Sequence, residues 1–196
     1  KAARIGVRTA LVTMSLSSIA RMSCNPSNGG IAKAHLVFEL DALGGEMARN
    51  TDYTGIQFRK LNTRKGPAVQ ANRAQSDMQA YSDRMIAVLS GTDDLHIIEG
   101  TVSGIWIENG DLRGVTMSDD SHIVGRSVVL TPGTFLNGRM FVGKDCVDGG
   151  RIGEPTSVAL SRNLTDLGFR TARLKTGTPA RLRADSLDYG RMERQP

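Results

Sequence analysis

The chain has 196 residues, 39% of them apolar and 23% charged, with 22 glycines and a formal net charge of +5. That composition is enough for one sizeable core, and it excludes a disordered, collagen-like or disulfide-stapled chain, since only Cys24 and Cys146 are present. No run of about 18 apolar residues predicts a membrane-spanning helix. The positive balance admits an anionic partner, whereas 5% aromatic content disfavours a base-stacking platform.

In chain order, "KAARIG" reads as the end of a helix closed by Gly6, and "VRTALVT" as a short apolar strand. A helix tail followed by a strand is the second half of a βαβ unit, so the first strand and its turn are expected before Lys1, making the chain a fragment. From Ile31 to Leu43, apolar residues recur at three- and four-residue spacing, predicting an amphipathic helix ended by Gly44 and Gly45. "GIQFRKLN" reads as a strand or extended segment. Lys65-Gly66-Pro67 breaks the chain before a helix predicted over about Asn72 to Leu89, with Met78, Tyr81, Met85 and Val88 on one face.

The period then changes to two. Residues 95 to 126 predict an antiparallel meander of three or four strands, with turns at Asn109-Gly110 and Asp119-Asp120. Its exit, Ser127 to Leu130, is continuously apolar and predicts a buried parallel strand running into Thr131-Pro132-Gly133-Thr134. A glycine-rich loop, a helix over about Ser157 to Leu167 and an extended "FRTARLKTGTPARL" complete the chain, residues 135 to 196 reading as the start of a further segment.

The expected fold class is therefore α/β: a Rossmann-like FAD/NAD(P)-binding domain, partial over residues 1–196, with an antiparallel β-meander insertion. Ligands of such sheets lie at the carboxyl ends of the strands. Those ends fall near Thr13, near Thr131 to Thr134, and near the loop around Cys24.

"MSCNPSNGGIAKAHLVFELDALGG", "GIQFRKLN", "KGPAVQANRAQSD", "VVLTPGTFLNGR", "GGRIGEPTS" and "RLKTGTPARL" resemble, in this order, blocks of the MnmG (GidA) family, and the likeness covers nearly the whole chain. The resemblance implies an FAD-dependent enzyme that works with the GTPase MnmE. Together they would install a carboxymethylaminomethyl or aminomethyl group at C5 of the wobble uridine of tRNA. It further implies methylenetetrahydrofolate as carbon donor, glycine or ammonium as nitrogen donor, NADH as reductant, a homodimer, no membrane association and a cytoplasmic location. The family's Gly-x-Gly-x-x-Gly turn is not in this sequence, nor are its second catalytic cysteine and C-terminal helical domain, so the chain alone is expected to be inactive.

Site residues follow. The resemblance implies that Cys24 is catalytic and that its loop, with Asn25, Gly29 and Gly30, lies at the flavin; by itself, Cys24 reads as a buried, inert thiol. The two glycines would let backbone approach a cofactor, and a helix beginning near Ile31 would lower the thiol pKa if the sulfur faced it. Val102 and Ser157 match family contacts to FAD, although alone they read as a strand residue and a helix N-cap. Thr13, Thr131, Gly133 and Thr134 are the strand-end candidates, with an ordinary turn as the plain reading of the last three.

Arg59, Arg64, Lys65 and Arg73, together with Lys60, form one basic set, and Arg170, Arg173, Lys175, Arg181 and Arg183 a second. The candidates for tRNA phosphate contact are Arg59, Arg64, Lys65, Arg73 and Lys175, against the alternative of a solvated basic face. No metal site is expected, and Cys146 reads as incidental. Two other functions fit the same residues: a folate- and FAD-dependent tRNA uracil methyltransferase, and a non-enzymatic basic nucleic-acid-binding domain on a flavoprotein scaffold.

Overall fold

The computed structural model describes residues 1–23, 25–177 and 182–193. It is a mixed α/β structure whose pieces are set by short-range signals. A 3₁₀ turn, Ala3–Ile5, is closed by Gly6 at φ 81°. Strand β1 (Thr9–Thr13) follows, then a bent segment and the short strand β2 (Ser27–Gly29). Helix α1 (Lys33–Ala42) ends where Gly44 turns left-handed and Gly45 N–H donates to the Leu40 carbonyl at 2.7 Å.

Helix α2 (Met47–Thr54) carries no apolar period, and the sequence reading passed over it. Its inward face is polar: Asn50 is fully buried and Thr51 and Thr54 nearly so. Each finds a partner, Asn50 donating to the Tyr81 carbonyl at 2.8 Å and Thr54 to the Asn50 carbonyl at 2.8 Å, which is what makes polar burial tolerable.

Strand β3 (Gly55–Leu61) appears where expected. The helix predicted from Asn72 does not begin there: Ala71–Ser76 is strand β4, central between β2 and β3, and helix α3 (Met78–Ser90) starts after Asp77. Small residues Ala71, Ala74 and Ser76 are buried in that central strand, and the Asp77 carboxylate caps the helix by accepting Ala80 N–H at 2.8 Å, a contact worth about 1 kcal/mol.

Strand β5 (Leu95–Glu99) pairs in parallel with β1, Thr9 opposite Leu95 through Thr13 opposite Glu99, so it belongs to the parallel sheet rather than to the meander. The meander proper is β6 (Val102–Glu108), β7 (Asp111–Met117) and β8 (His122–Val124). Asn109 and Gly110 both take positive φ at the first hairpin, as the sequence signal requires.

Ser127–Leu130 forms no strand, contrary to expectation, and Val129 is 84% exposed. Apolar character alone does not make a strand: β1 and β5 pair only with one another among the described residues, so the run takes no place in their ladder. The glycine-rich loop instead contains a hairpin, β9 (Arg139–Val142) with β10 (Asp145–Asp148). Helix α4 (Val158–Asp166) packs on β6: Leu160 and Leu164 are buried, about 1.5–3 kcal/mol each, and Asn163 Oδ1 accepts Ile105 N–H at 2.8 Å. Residues 170–177 have no regular structure, and the end of the predicted extended segment lies outside the described residues.

The core is correspondingly small-residue rich, with Ala3, Ala34, Ala71 and Ala74 beside Ile19, Tyr81, Val115 and Met117. Helix α1 keeps its predicted apolar stripe largely uncovered: Leu36, Leu40 and Leu43 are all exposed. Among the described residues no helix is long and apolar enough to cross a membrane, and no group of His, Cys, Asp and Glu side chains could hold a metal ion.

Candidate functional site

Parallel strands β1 and β5 end side by side, and the chain leaves both in the same direction. Gly100 N–H donates to the Thr13 carbonyl at 2.8 Å, locking the two ends together. A cleft of about 1410 Å³ runs along this sheet, from the residues before β1 (Lys1 to Arg8) over the whole of β1 to its carboxyl end. Met14 and Ser15 after β1, Gly100, Thr101 and Val102 after β5, Thr131, and the Arg151 to Ser157 segment all contribute to its walls.

Four of the sequence-derived cofactor candidates thus come together here: Thr13, Val102, Thr131 and Ser157. Ser157 stands at the N-cap position of α4 but makes no cap bond. Its hydroxyl instead donates to the Val102 carbonyl at 3.5 Å, and its backbone is held by Phe135 and Asn137 at 2.8 and 3.0 Å. Val102 and Ser157, 55 residues apart, are therefore one local feature of the wall. Gly133 and Thr134 lie outside the lining. Gly133 takes φ 56°, and Thr134 donates to the Gly150 carbonyl at 2.8 Å, shaping the turn next to the cleft.

The glycines near Cys24 have a structural role in the sheet. A Cβ on Gly29 would overlap the Asn72 carbonyl of β4, so strand pairing itself demands glycine there. Gly30, at φ 97°, donates its N–H to the same carbonyl at 2.8 Å. The helix starts at Lys33, later than the expected Ile31, and the Asn25 carbonyl accepts Ser27 N–H at 2.7 Å. Cys24 itself lies outside the described residues.

Gly29 belongs to a second, smaller cavity of about 310 Å³ between α1, α2 and the β2-β4-β3 sheet. Arg59 and Arg73 line it too, and they stand directly opposite one another across β3 and β4, in a row with Gly29. Cross-strand partners share a face, so the two arginines stand on one side of the sheet. Arg64 and Lys65 lie in the exposed turn after β3, where Lys65 N–H donates to the Asn62 carbonyl at 2.9 Å. Lys175 is exposed in the irregular segment, far along the chain from this group. In the second set, Arg173 donates to the Asn137 carbonyl at 3.1 Å, Arg183 pairs with Asp185, and Arg181 lies outside the described residues.

The sequence reading missed the acidic partner of the cleft, Glu154. Its carboxylate accepts from Ser18 Oγ at 3.2 Å, Arg21 Nη1 at 3.1 Å and Arg151 at 3.3 Å. Nothing local announces such a residue, because two of its partners are more than 130 positions away.

Comparison with known proteins gives a consistent result. The family model for glucose inhibited division protein A matches residues 1–196. The chain is 54% identical over 194 residues to the tRNA uridine 5-carboxymethylaminomethyl modification enzyme MnmG of Pelobacter propionicus, covering 99% of this chain and 31% of that protein. It is 53% identical, with the same coverage, to the protein of that name from Geobacter sulfurreducens. Among solved structures, Aquifex aeolicus GidA in its form II crystal superposes with a TM-score of 0.88 at 45% identity, over 96% of this chain and 31% of that one. The chain thus spans about a third of the length of these relatives, and by full-length family match, identity and fold alike it belongs to the glucose inhibited division protein A (GidA) family.

Proposed function

We propose that this chain is the cofactor-binding part of an FAD-dependent enzyme that modifies C5 of the wobble uridine of tRNA, adding a carboxymethylaminomethyl or aminomethyl group. The observation that carries the reading is the 54% identity, over 99% of the chain, to a relative named for that modification. Part of the cleft supports it: α/β sheets take their dinucleotides at the carboxyl ends of parallel strands, and the stretch of this cleft that borders Thr13, Gly100, Val102 and Ser157 offers backbone and hydroxyls there. Thr13, Val102, Thr131 and Ser157 would hold the FAD, with Gly133 and Thr134 shaping the turn beside it and Asn25, Gly29 and Gly30 forming the loop that carries Cys24. When bound, the flavin supplies reversible hydride chemistry; the chain's own part is to orient it and to present Cys24 as the catalytic thiol.

In the same reading NADH reduces the flavin and methylenetetrahydrofolate supplies the carbon. The GTPase MnmE is the partner, the enzyme is a cytoplasmic homodimer, and Arg59, Arg64, Lys65, Arg73 and Lys175 face tRNA phosphates. The test is a chimera in which this chain replaces the matching segment of the Pelobacter propionicus enzyme. The purified chimera should be yellow, bleach when NADH is added without oxygen, and restore the modified nucleoside to tRNA from cells lacking it. Cys24→Ser should keep the flavin spectrum and lose the modification. A colourless chimera that FAD cannot reconstitute removes the cofactor reading, and a simple 5-methyl product replaces it with methyl transfer.

A further inference from the structure

Residues 14 to 23, which connect β1 to the Cys24 loop, contain one 3₁₀ turn, Leu16–Ser18, and no strand or longer helix. A segment so poor in backbone bonds must be positioned by side chains. Two anchors do this. Ile19 is buried and its carbonyl accepts Ser82 Oγ from α3 at 2.6 Å. On the other side, Ser18 and Arg21 converge on Glu154 at 3.2 and 3.1 Å.

Glu154 is well placed to hold them. Its side chain is 15% exposed, and Arg151, 19% exposed, supplies a third donor at 3.3 Å. Arg151 also donates to the Arg21 carbonyl at 3.3 Å and lies over the Phe135 ring at 5.1 Å. Backbone pairing fixes the pair locally, Glu154 N–H donating to the Arg151 carbonyl at 2.9 Å. The cluster therefore joins the segment before Cys24 to the segment that ends in Ser157, and Ser15, Ser18, Arg151, Glu154 and Ser157 all border the same cleft.

We propose that Glu154 is a positioning residue, holding the segment that leads to Cys24 against the Ser157 wall of the cleft. This rests on the reading that Cys24 works at a cofactor held in that cleft. With Glu154 neutralised, Ser18 and Arg21 keep a single amide oxygen in place of two carboxylate oxygens, Arg151 is left half-buried without its counter-ion, and the preceding segment opens more often. Residues 15–23 then exchange their amides faster without a change in global fold.

The chimera described above tests this by hydrogen exchange with peptide mass spectrometry. Glu154→Gln should raise exchange over residues 15–23 about five- to thirty-fold, the range that one to two kcal/mol of lost local stability produces. Exchange in α3 should stay unchanged. Arg21→Gln, at a side chain 52% exposed and so tolerated by the fold, should act in the same direction, and the double variant should add little to either single change. Unchanged exchange over residues 15–23 in a yellow Glu154→Gln chimera, or strictly additive single effects, overturns the proposal and leaves the cofactor reading standing. Faster exchange there in a chimera that never takes up flavin supports the hold on this segment and removes the cofactor reading instead.

Discussion

Glu46→Gln is expected to loosen the junction of α2 and α3 and to reproduce at neutral pH what acid does to the parent. Glu46 accepts from Arg4 at 2.7 Å and from Arg84 at 2.8 Å, and its side chain is 12% exposed against 33% and 24% for the two arginines. Arg84 also donates to Asn50 Oδ1 at 2.9 Å and lies 4.2 Å from the Tyr53 ring centre, so Glu46 is the anion of a network that includes the fully buried Asn50. Exposed pairs contribute about 0–1 kcal/mol, and breaking fully buried ones costs about 3–5 kcal/mol. This partly buried double contact falls between them, at about 1.5–3 kcal/mol. Burial raises the Glu46 pKa, but the hydrogen bonds and charges of Arg4 and Arg84 outweigh it, so the folded value lies below the ordinary 4.5. A depressed carboxylate contributes stability that is complete above its unfolded pKa and lost as pH falls through the folded one, hence below about pH 4.5. Hydrogen exchange over residues 46–54 and 78–84 of the chimera should accelerate about ten- to hundred-fold in Glu46→Gln at pH 7. The parent, after correction for intrinsic exchange, should approach the variant as pH falls below 4.5. Equal protection in parent and variant at pH 7, or a parent whose protection is flat through that acid range, refutes the assignment.

Two further outcomes follow from the sheet that carries the basic residues. Gly29→Ala and Gly30→Ala both place a side chain at positive φ, a strain of about 1–3 kcal/mol, but only the first drives a Cβ into the Asn72 carbonyl. Protection of the β4 amides should therefore fall further in Gly29→Ala, and equal losses in the two variants would show that strand approach is not what requires this glycine. Neutralising Arg64, Lys65 and Arg73 together should weaken tRNA binding and reduce the slope of log K against log salt by about 2–3, as expected for three phosphate contacts. Flavin absorbance should be unchanged, and an unaltered slope in a binding titration would take these residues out of the tRNA surface.

What the sequence made legible was whatever depends on neighbours along the chain. The turns at Gly6, Gly44 and Asn109-Gly110, strand β1, and helices α1 and α4 all rest on local φ preferences or short periodicity, and each appears within a few residues of its expected place. The failures share a physical cause. Ala71–Ser76, small and without an apolar period, carried no strand signal and was read as the first turns of the helix that follows, although it is the central strand between two others. Helix α2 escaped notice because its buried face is Asn50, Thr51 and Thr54, satisfied by partners that no local pattern reveals. Ser127–Leu130 shows the converse, a strong strand signal without a paired edge. At the site, Thr13 and Thr131 could be placed by topology, and Val102 and Ser157 by family likeness, but their meeting in one wall, and Glu154 with its distant partners, required the fold.

The order of the two concavities along the chain has a functional consequence. Residues up to Ser18 border the large cleft, and Asn28 and Gly29 already line the small one, so nine residues, with Cys24 near their middle, connect the two. Each end of the connection is fixed by a different interaction: Ser18 and Arg21 by Glu154, and Gly29 by close pairing with Asn72 on β4. In the proposed reading, a cofactor in the cleft and tRNA at the basic residues act on opposite ends of one short segment, so neither end can be free to slip: a half-buried carboxylate with three donors holds one end, and a glycine at positive φ, a conformation it adopts without strain, the other.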